Sequence, residues 1–141
     1  MGCIYIEIIR KINGFEGYYI SNLGKVYCTL GKGNRRNGNR VPMYEIKPRP
    51  NKNGYLRVYM REDKTNKRKD RYVHRLVAEH FIPKENNQRN VVNHIDCNVQ
   101  NNNVENLEWV TQKENVYYSM ELGRLDKSVI DGKFISGIIK Q

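Results

Sequence analysis

The sequence predicts an α+β protein, with a β-rich, basic N-terminal region followed by a short strand–loop–strand–helix unit. Three observations predict it. Short runs of β-branched and aromatic residues alternate with bends marked by Gly and Asn through the first ninety positions. The apolar period then changes to that of a helix across residues 74–81. Finally Val91-Val92-Asn93-His94, a polar loop and Leu107-Glu108-Trp109-Val110 precede Thr111-Gln112-Lys113-Glu114, the pattern of a capping box. At 141 residues the chain can bury one modest core, or two small ones sharing a boundary.

Residues 5–10 and 18–22 have strand composition, with Gly14 and Gly17 marking the bend between them, and residues 25–30 read as a third strand. Residues 31–40 hold Gly, Asn, Arg and Lys with no apolar side chain except at the flanks, and read as a mobile basic loop. Strands at 44–47 and 55–60 follow. In the second, Leu56, Val58 and Met60 form an apolar face, while Tyr55, Arg57 and Tyr59 form a basic and aromatic one. Residues 62–70 read as a charged turn, and 71–73 as a short strand. Leu76, Val77, His80 and Phe81 share one helix face, which Pro83 stops. Residues 83–90 form a polar loop. Of the fourteen residues from 93 to 106 six are Asn, a composition suited to an ordered loop bonded to its own backbone. The last helix opens at Thr111 and stops at Gly123, about three turns on. In the tail, Asp131-Gly132 between apolar pairs reads as a tight hairpin or as part of a frayed end.

The net charge of +10 is unevenly placed: residues 1–75 hold 18 Lys and Arg against 6 acids, and residues 76–141 hold 7 against 9. A long polyanion explains such segregation better than solubility does, because each neutralised phosphate releases counterions. Cys3, Cys28 and Cys97 form no CxxC pair, and their odd number argues against a disulfide framework and for a reducing compartment. No apolar run approaches a membrane span, and the start lacks the basic flank of a signal peptide. Ile6 stands where a myristoylation signal needs Ser or Thr. These features lead us to expect a soluble, cytoplasmic protein with no membrane and no disulfide-linked partner.

Phosphodiester hydrolysis needs a nucleophilic water and a means of holding charge on the leaving oxygen. A neutral imidazole serves the first need, and a metal with an open position serves the second. His94 is the candidate general base. Asn93 and Asn115 are candidate metal ligands through their amide oxygens, which suit Mg²⁺ or Mn²⁺. Neighbouring strand residues face opposite sides, so the strand must end or twist at His94. Asn106, at the start of the second strand, is expected to tie the loop to backbone near His94 and so orient the ring. His80 reads as a satisfied packing residue, His74 as either a support for the loop or a structural residue, and Trp109 and Val110 as core.

These residues resemble the HNH motif of the ββα-metal nucleases, in particular phage and intron-encoded homing endonucleases. The string that carries the resemblance is Val92-Asn93-His94-Ile95-Asp96, then Asn98, Asn101 to Asn103, Asn106-Leu107-Glu108-Trp109-Val110-Thr111 and Glu114-Asn115. His74-Arg75-Leu76-Val77-Ala78 with Phe81 is similar to the segment leading into that motif. The run from Ile12 to Tyr27 is similar to a small module such nucleases often carry ahead of the catalytic part. Together the two similarities cover about residues 7–123. The resemblance implies His94, Asn106 and Asn115 as catalytic-motif residues, with Asn93 and Asn115 holding the metal. Three features depart from it. Asn93 is Asp in some relatives, Cys97 replaces a common loop Gly, and Ile8 or Ile9 stands where a Trp is usual. The missing ligand charge implies weak metal binding, with Asp96 available to lend a carboxylate. Many relatives continue into a helix-turn-helix, which we do not expect in this sequence.

The resulting expectation is a homing-type HNH endonuclease hydrolysing double-stranded DNA, acting as a monomer, in the bacterial cytoplasm if phage-encoded. Its parts are a DNA-binding module (1–70), a nuclease domain (71–123) and a tail (124–141). The expected DNA-binding residues are Lys25, Lys32, Arg35, Arg36, Arg40, Lys47, Arg49, Lys52, Arg57, Tyr59, Lys67, Arg68 and Arg75. The alternatives are a catalytically inactive DNA- or RNA-binding protein retaining the fold, and an RNA nuclease.

Overall fold

The computed structural model describes residues 6–30 and 43–121. Cys3, the basic loop with Lys32, Arg35, Arg36 and Arg40, the stop at Gly123 and the tail hairpin lie outside the described residues. Among those described, three antiparallel sheets and two α-helices appear.

The first sheet has the order β1(Ile9–Lys11), β2(Tyr18–Ser21), β3(Val26–Cys28), β4(Tyr44–Ile46). The strand expected over 5–10 is shorter than its composition implied. Pairing of β1 with β2 starts at Ile9 opposite Ser21, where β2 turns away. Ahead of that point Asn22 carries the pairing on, its backbone N donating to Ile8 O at 3.0 Å and its side chain accepting from Ile8 N at 2.8 Å and donating to Ile6 O at 3.0 Å.

The second sheet is β5(Arg49–Pro50), β6(Leu56–Arg61), β7(Arg68–Tyr72). Alternation in β6 is as expected: Val58 and Met60 are buried and Tyr59 is exposed. Two boundaries differ from expectation. Residues 68–70 are strand rather than turn, since Arg61, Met60 and Tyr59 pair with Arg68, Lys69 and Asp70. Val73 opens a helix rather than ending a strand. Polar residues with little strand preference are carried here by their cross-strand partners. The expected division at residue 70 therefore falls inside β7.

Helix α1(Val73–Phe81) buries Val73, Leu76, Val77 and Ala78. These meet Ile12, Phe15, Ile20 and Val26 from the N-terminal part, Val58 and Met60 from β6, and Val92, Leu107 and Trp109 from the third sheet. One core thus serves all three sheets. His80 is a satisfied packing residue, as expected, with Nδ1 2.8 Å from Leu76 O and Nε2 3.3 Å from Asn13 N. Trp109 is buried and donates from Nε1 to Ile82 O at 2.8 Å. β8(Val91–His94) and β9(Leu107–Val110) form the third sheet, and α2(Gln112–Glu121) follows. The capping box is reciprocal: Glu114 N donates to Thr111 Oγ1, and Thr111 N donates to Glu114 Oε2, each at 3.1 Å.

Candidate active site

Strand β8 stays in register through His94, which pairs with Leu107, so Asn93 and His94 keep opposite faces rather than turning to one side as expected. Chain reversal begins at once, with Cys97 N bonded to His94 O at 3.0 Å and Ile95 N to Asn106 O at 2.8 Å. His94 is only 4% exposed, on the same face of the strand as buried Val92. Asn93 lies on the other face, opposite Glu108 in the ladder, and donates from Nδ2 to Glu108 Oε1 at 3.0 Å.

The His94 ring has a specific partner in the loop: its Nε2 is 2.8 Å from Asn102 Oδ1. An amide oxygen only accepts, so this contact suits the tautomer with its proton on Nε2. Asn102 is itself 4% exposed and held from the N-terminal region. Gly24, at φ +82°, packs so closely that a Cβ there would lie 2.9 Å from Asn102 Cβ. Val104 N donates to Asn22 O at 2.8 Å, and Gln100 Nε2 to Gly54 O at 3.2 Å. Two turns of the basic region thus clamp the loop that holds the imidazole.

Asn106 ties the loop as expected, accepting from Asp96 N at 2.9 Å and donating to Asp96 Oδ1 and Asn101 O at 2.8 Å. It does not touch the ring. The residue that does, Asn102, was missed in the sequence because it sits in an Asn run whose members look alike. Asp96 also differs from expectation. Its Oδ1 accepts from Asn98 N and Asn106, and its Oδ2 from Asn101 Nδ2, so the carboxylate is engaged by the loop rather than offered to a metal. These bonds, led by that from Asn101, hold its pKa below the usual 3.8. Cys97 has φ +68°, a left-handed conformation that a Gly adopts without strain.

A cavity of about 330 Å³ opens beside this unit, lined by Asn51, Asn53, Tyr55, Tyr72, His74, Arg75, Asn90, Val91, Val92 and Asn115. His74 and Asn115 both line it. The His74 ring lies 5.1 Å from that of His94 and 5.4 Å and 5.3 Å from Tyr55 and Tyr72. Tyr55 also reaches His94, at 5.9 Å. Burial, then the neighbouring His94 and Arg75, push the His74 pKa from 6.5 down to about 3. Its Nδ1 is buried without a hydrogen-bond partner.

Among the described residues no cluster of three or more His, Cys, Asp or Glu could hold a metal. Asn93 Nδ2 is turned to Glu108, and α2, which carries Asn115, packs against β8. Asn115 lines the cavity, whereas Asn93 and His94 are not among its lining residues. Glu108 brings a negative charge beside Asn93 from the facing strand.

Five of the expected DNA-binding residues, Lys47, Arg49, Arg57, Tyr59 and Arg68, line one groove of about 730 Å³. Tyr59 is flanked by the guanidinium groups of Arg57 and Arg68, 5.8 Å and 5.4 Å from its ring centre. Arg57 also pairs with Asp70 at 3.0 Å. Lys25, Lys52 and Lys67 are exposed. Arg75 stands apart from that groove: it bonds Asn90 O at 2.9 Å, stacks over Trp109 and lines the cavity beside His74. No helix among the described residues is long and apolar enough to cross a membrane.

Residues 71–117 match the HNH endonuclease family, and residues 7–61 match the NUMOD4 motif. The chain is 39% identical over 120 residues to DNA endonuclease I-HmuI of Bacillus phage SP01, covering 84% of this chain and 61% of that protein. It is 34% identical over 111 residues to an uncharacterized HNH endonuclease, L247, of Acanthamoeba polyphaga mimivirus, covering 78% and 25%. A solved structure described as DNA binding and cleavage by the HNH homing endonuclease I-HmuI matches with TM-score 0.64 and 38% identity, covering 86% of this chain and 63% of that one. The chain thus spans less than two thirds of the length of each of these relatives.

Proposed function

The chain belongs to the HNH endonucleases, and from that premise we propose that it hydrolyses phosphodiester bonds of double-stranded DNA, with His94 as general base. The observation that carries this reading is the bond between His94 Nε2 and Asn102 Oδ1. It selects the tautomer whose Nδ1 can take a proton from an attacking water, and it supports the imidazolium that results. Asn93 and Asn115 would hold a divalent cation. When bound, the cation neutralises charge on the phosphate and the leaving oxygen. Asn106 and Asp96 act one step back, fixing the shape of the loop. His74 and Tyr55 wall the ring of His94 and shield it from bulk water.

The groove of Lys47, Arg49, Arg57, Tyr59 and Arg68 gives the module its hold on the DNA backbone. Such contacts carry little sequence information, so we assign low sequence specificity and strong salt dependence.

The test is supercoiled plasmid incubated with Mg²⁺, with Mn²⁺ and with chelator, for the wild type and His94→Ala. We expect metal-dependent nicking by the wild type, reduced by about 10²-fold or more in the variant while DNA binding persists. A wild type that binds but never nicks would identify an inactive DNA-binding relative. Equal nicking by both proteins would remove His94 from the mechanism.

A further inference from the structure

The cavity beside His94 is lined by a second imidazole to which nothing above gives a chemical step. His74 opens α1, and its ring is packed by Tyr55, Tyr72 and His94 at centroid distances of 5.4, 5.3 and 5.1 Å. Packing explains the carbon faces of the ring, but not its nitrogens. Nδ1 is buried with no partner, a costly arrangement for a donor and a lesser one for a lone pair. The proton therefore belongs on Nε2. No described protein group bonds Nε2, which leaves it as the ring nitrogen that can meet a molecule in the cavity.

Asn115 lines the same cavity from α2, and Arg75 lines it from the next position of α1. No Asp or Glu is among the residues lining it. The cavity is thus furnished for an anion, with one neutral donor and one guanidinium beside the Asn115 amide assigned to the cation. Arg75 is already bonded to Asn90 O and paired with Glu79 at 3.4 Å, which makes His74 the uncommitted donor.

We propose that His74 is a further residue of the cleavage site, donating a hydrogen bond from Nε2 to a non-bridging oxygen of the phosphodiester held beside His94. This rests on the nuclease reading above and deepens it. Burial keeps the ring neutral at ordinary pH, so it donates without bringing a second cation against the protonated base. His94 and His74 then have separate duties: the first removes a proton from water, and the second steadies charge growing on the phosphate. No bond to His74 forms or breaks.

The test separates packing from hydrogen bonding. His74→Phe keeps an aromatic ring against Tyr55, Tyr72 and His94 but removes the donor, whereas His74→Gln restores an N–H near the position of Nε2. With DNA saturating, we expect His74→Phe to slow nicking by about 10²-fold and His74→Gln to recover much of the rate. DNA affinity and melting temperature should stay close to wild type. A Phe variant that nicks at the wild-type rate overturns the proposal.

A second measurement needs no variant and no cleavage. In ¹⁵N-imidazole NMR of the wild type with a short duplex and no divalent metal, the His74 Nε2 resonance should shift on DNA binding. A resonance that stays fixed while DNA binds overturns the proposal, even if His74→Phe fails to fold. Failure of the nuclease reading looks different: no nicking by the wild type in any metal, whatever the His74 resonance does.

Discussion

His94 and Asn102 meet at 2.8 Å in the interior, and each is 4% exposed. The pair lies eight residues apart along the loop, yet the contact is held from outside it, by Gly24 packed on Asn102 and Asn22 bonded to Val104. A ring held this way has a fixed orientation.

Removing the amide should therefore disturb chemistry more than binding. Asn102→Ala leaves a buried ring N–H without its acceptor, a loss of about 1–3 kcal/mol. We expect nicking to fall by about tenfold to a hundredfold at constant DNA affinity, consistent with that energy. Single-turnover nicking at saturating DNA checks it. A normal rate in the variant would show that Asn102 does not govern the tautomer.

Asn93 faces the Glu108 carboxylate at 3.0 Å. Asn93→Asp would add a charged metal ligand but set two like charges directly opposite each other in the ladder, an arrangement that costs roughly 0.2–1 kcal/mol. We expect half-maximal nicking to need millimolar Mg²⁺ in the wild type and at least about tenfold less in the variant, on ligand-charge grounds. The metal-free variant should also melt at a lower temperature. Metal titration of nicking and thermal melts in chelator test the two halves separately.

Acid should weaken the fold through His74. The unfolded ring titrates near 6.5 and the folded one near 3, so between these values the unfolded chain binds the extra proton. Stability that is complete above about 6.5 is lost progressively as pH falls toward 3. Asp96, held below its usual 3.8, adds a second loss as pH falls through its own lowered value. Melting temperature measured from pH 7.5 to pH 4 should decline, and His74→Phe should flatten that decline.

Arg49 and Arg68 line the basic groove and are exposed. Each phosphate contact contributes about 0.9 to the slope of log affinity against log salt. Replacing both with Ala should lower the slope by about 2 and weaken binding alike on unrelated duplexes. A slope unchanged in the double variant would place the DNA elsewhere.

Much of this architecture was legible in the sequence because its signals are local. Leu56, Val58 and Met60 repeat every second residue, and Thr111 and Glu114 cap each other across one turn. His94 stands at the end of a short apolar run. What escaped notice depends on partners that neither residue type nor spacing identifies. Residues 68–70 are strand only because β6 lies beside them. Asn102 cannot be told from Asn101 or Asn103 by type or spacing, and only the approach of Gly24 singles it out. Asp96 looked available for a metal because its three hydrogen-bond donors come from other parts of the folded loop.

The close packing of Gly24 on Asn102 also bears on how such proteins can be recombined. A turn of the basic N-terminal region is one wall of the mould in which the His94 loop is cast. Grafting the C-terminal half onto a foreign targeting domain would remove that wall and leave the loop to slacken, whatever the new domain's affinity for its site. A working chimera has to keep the stretch from Asn22 to Gly24 or supply a substitute of the same shape.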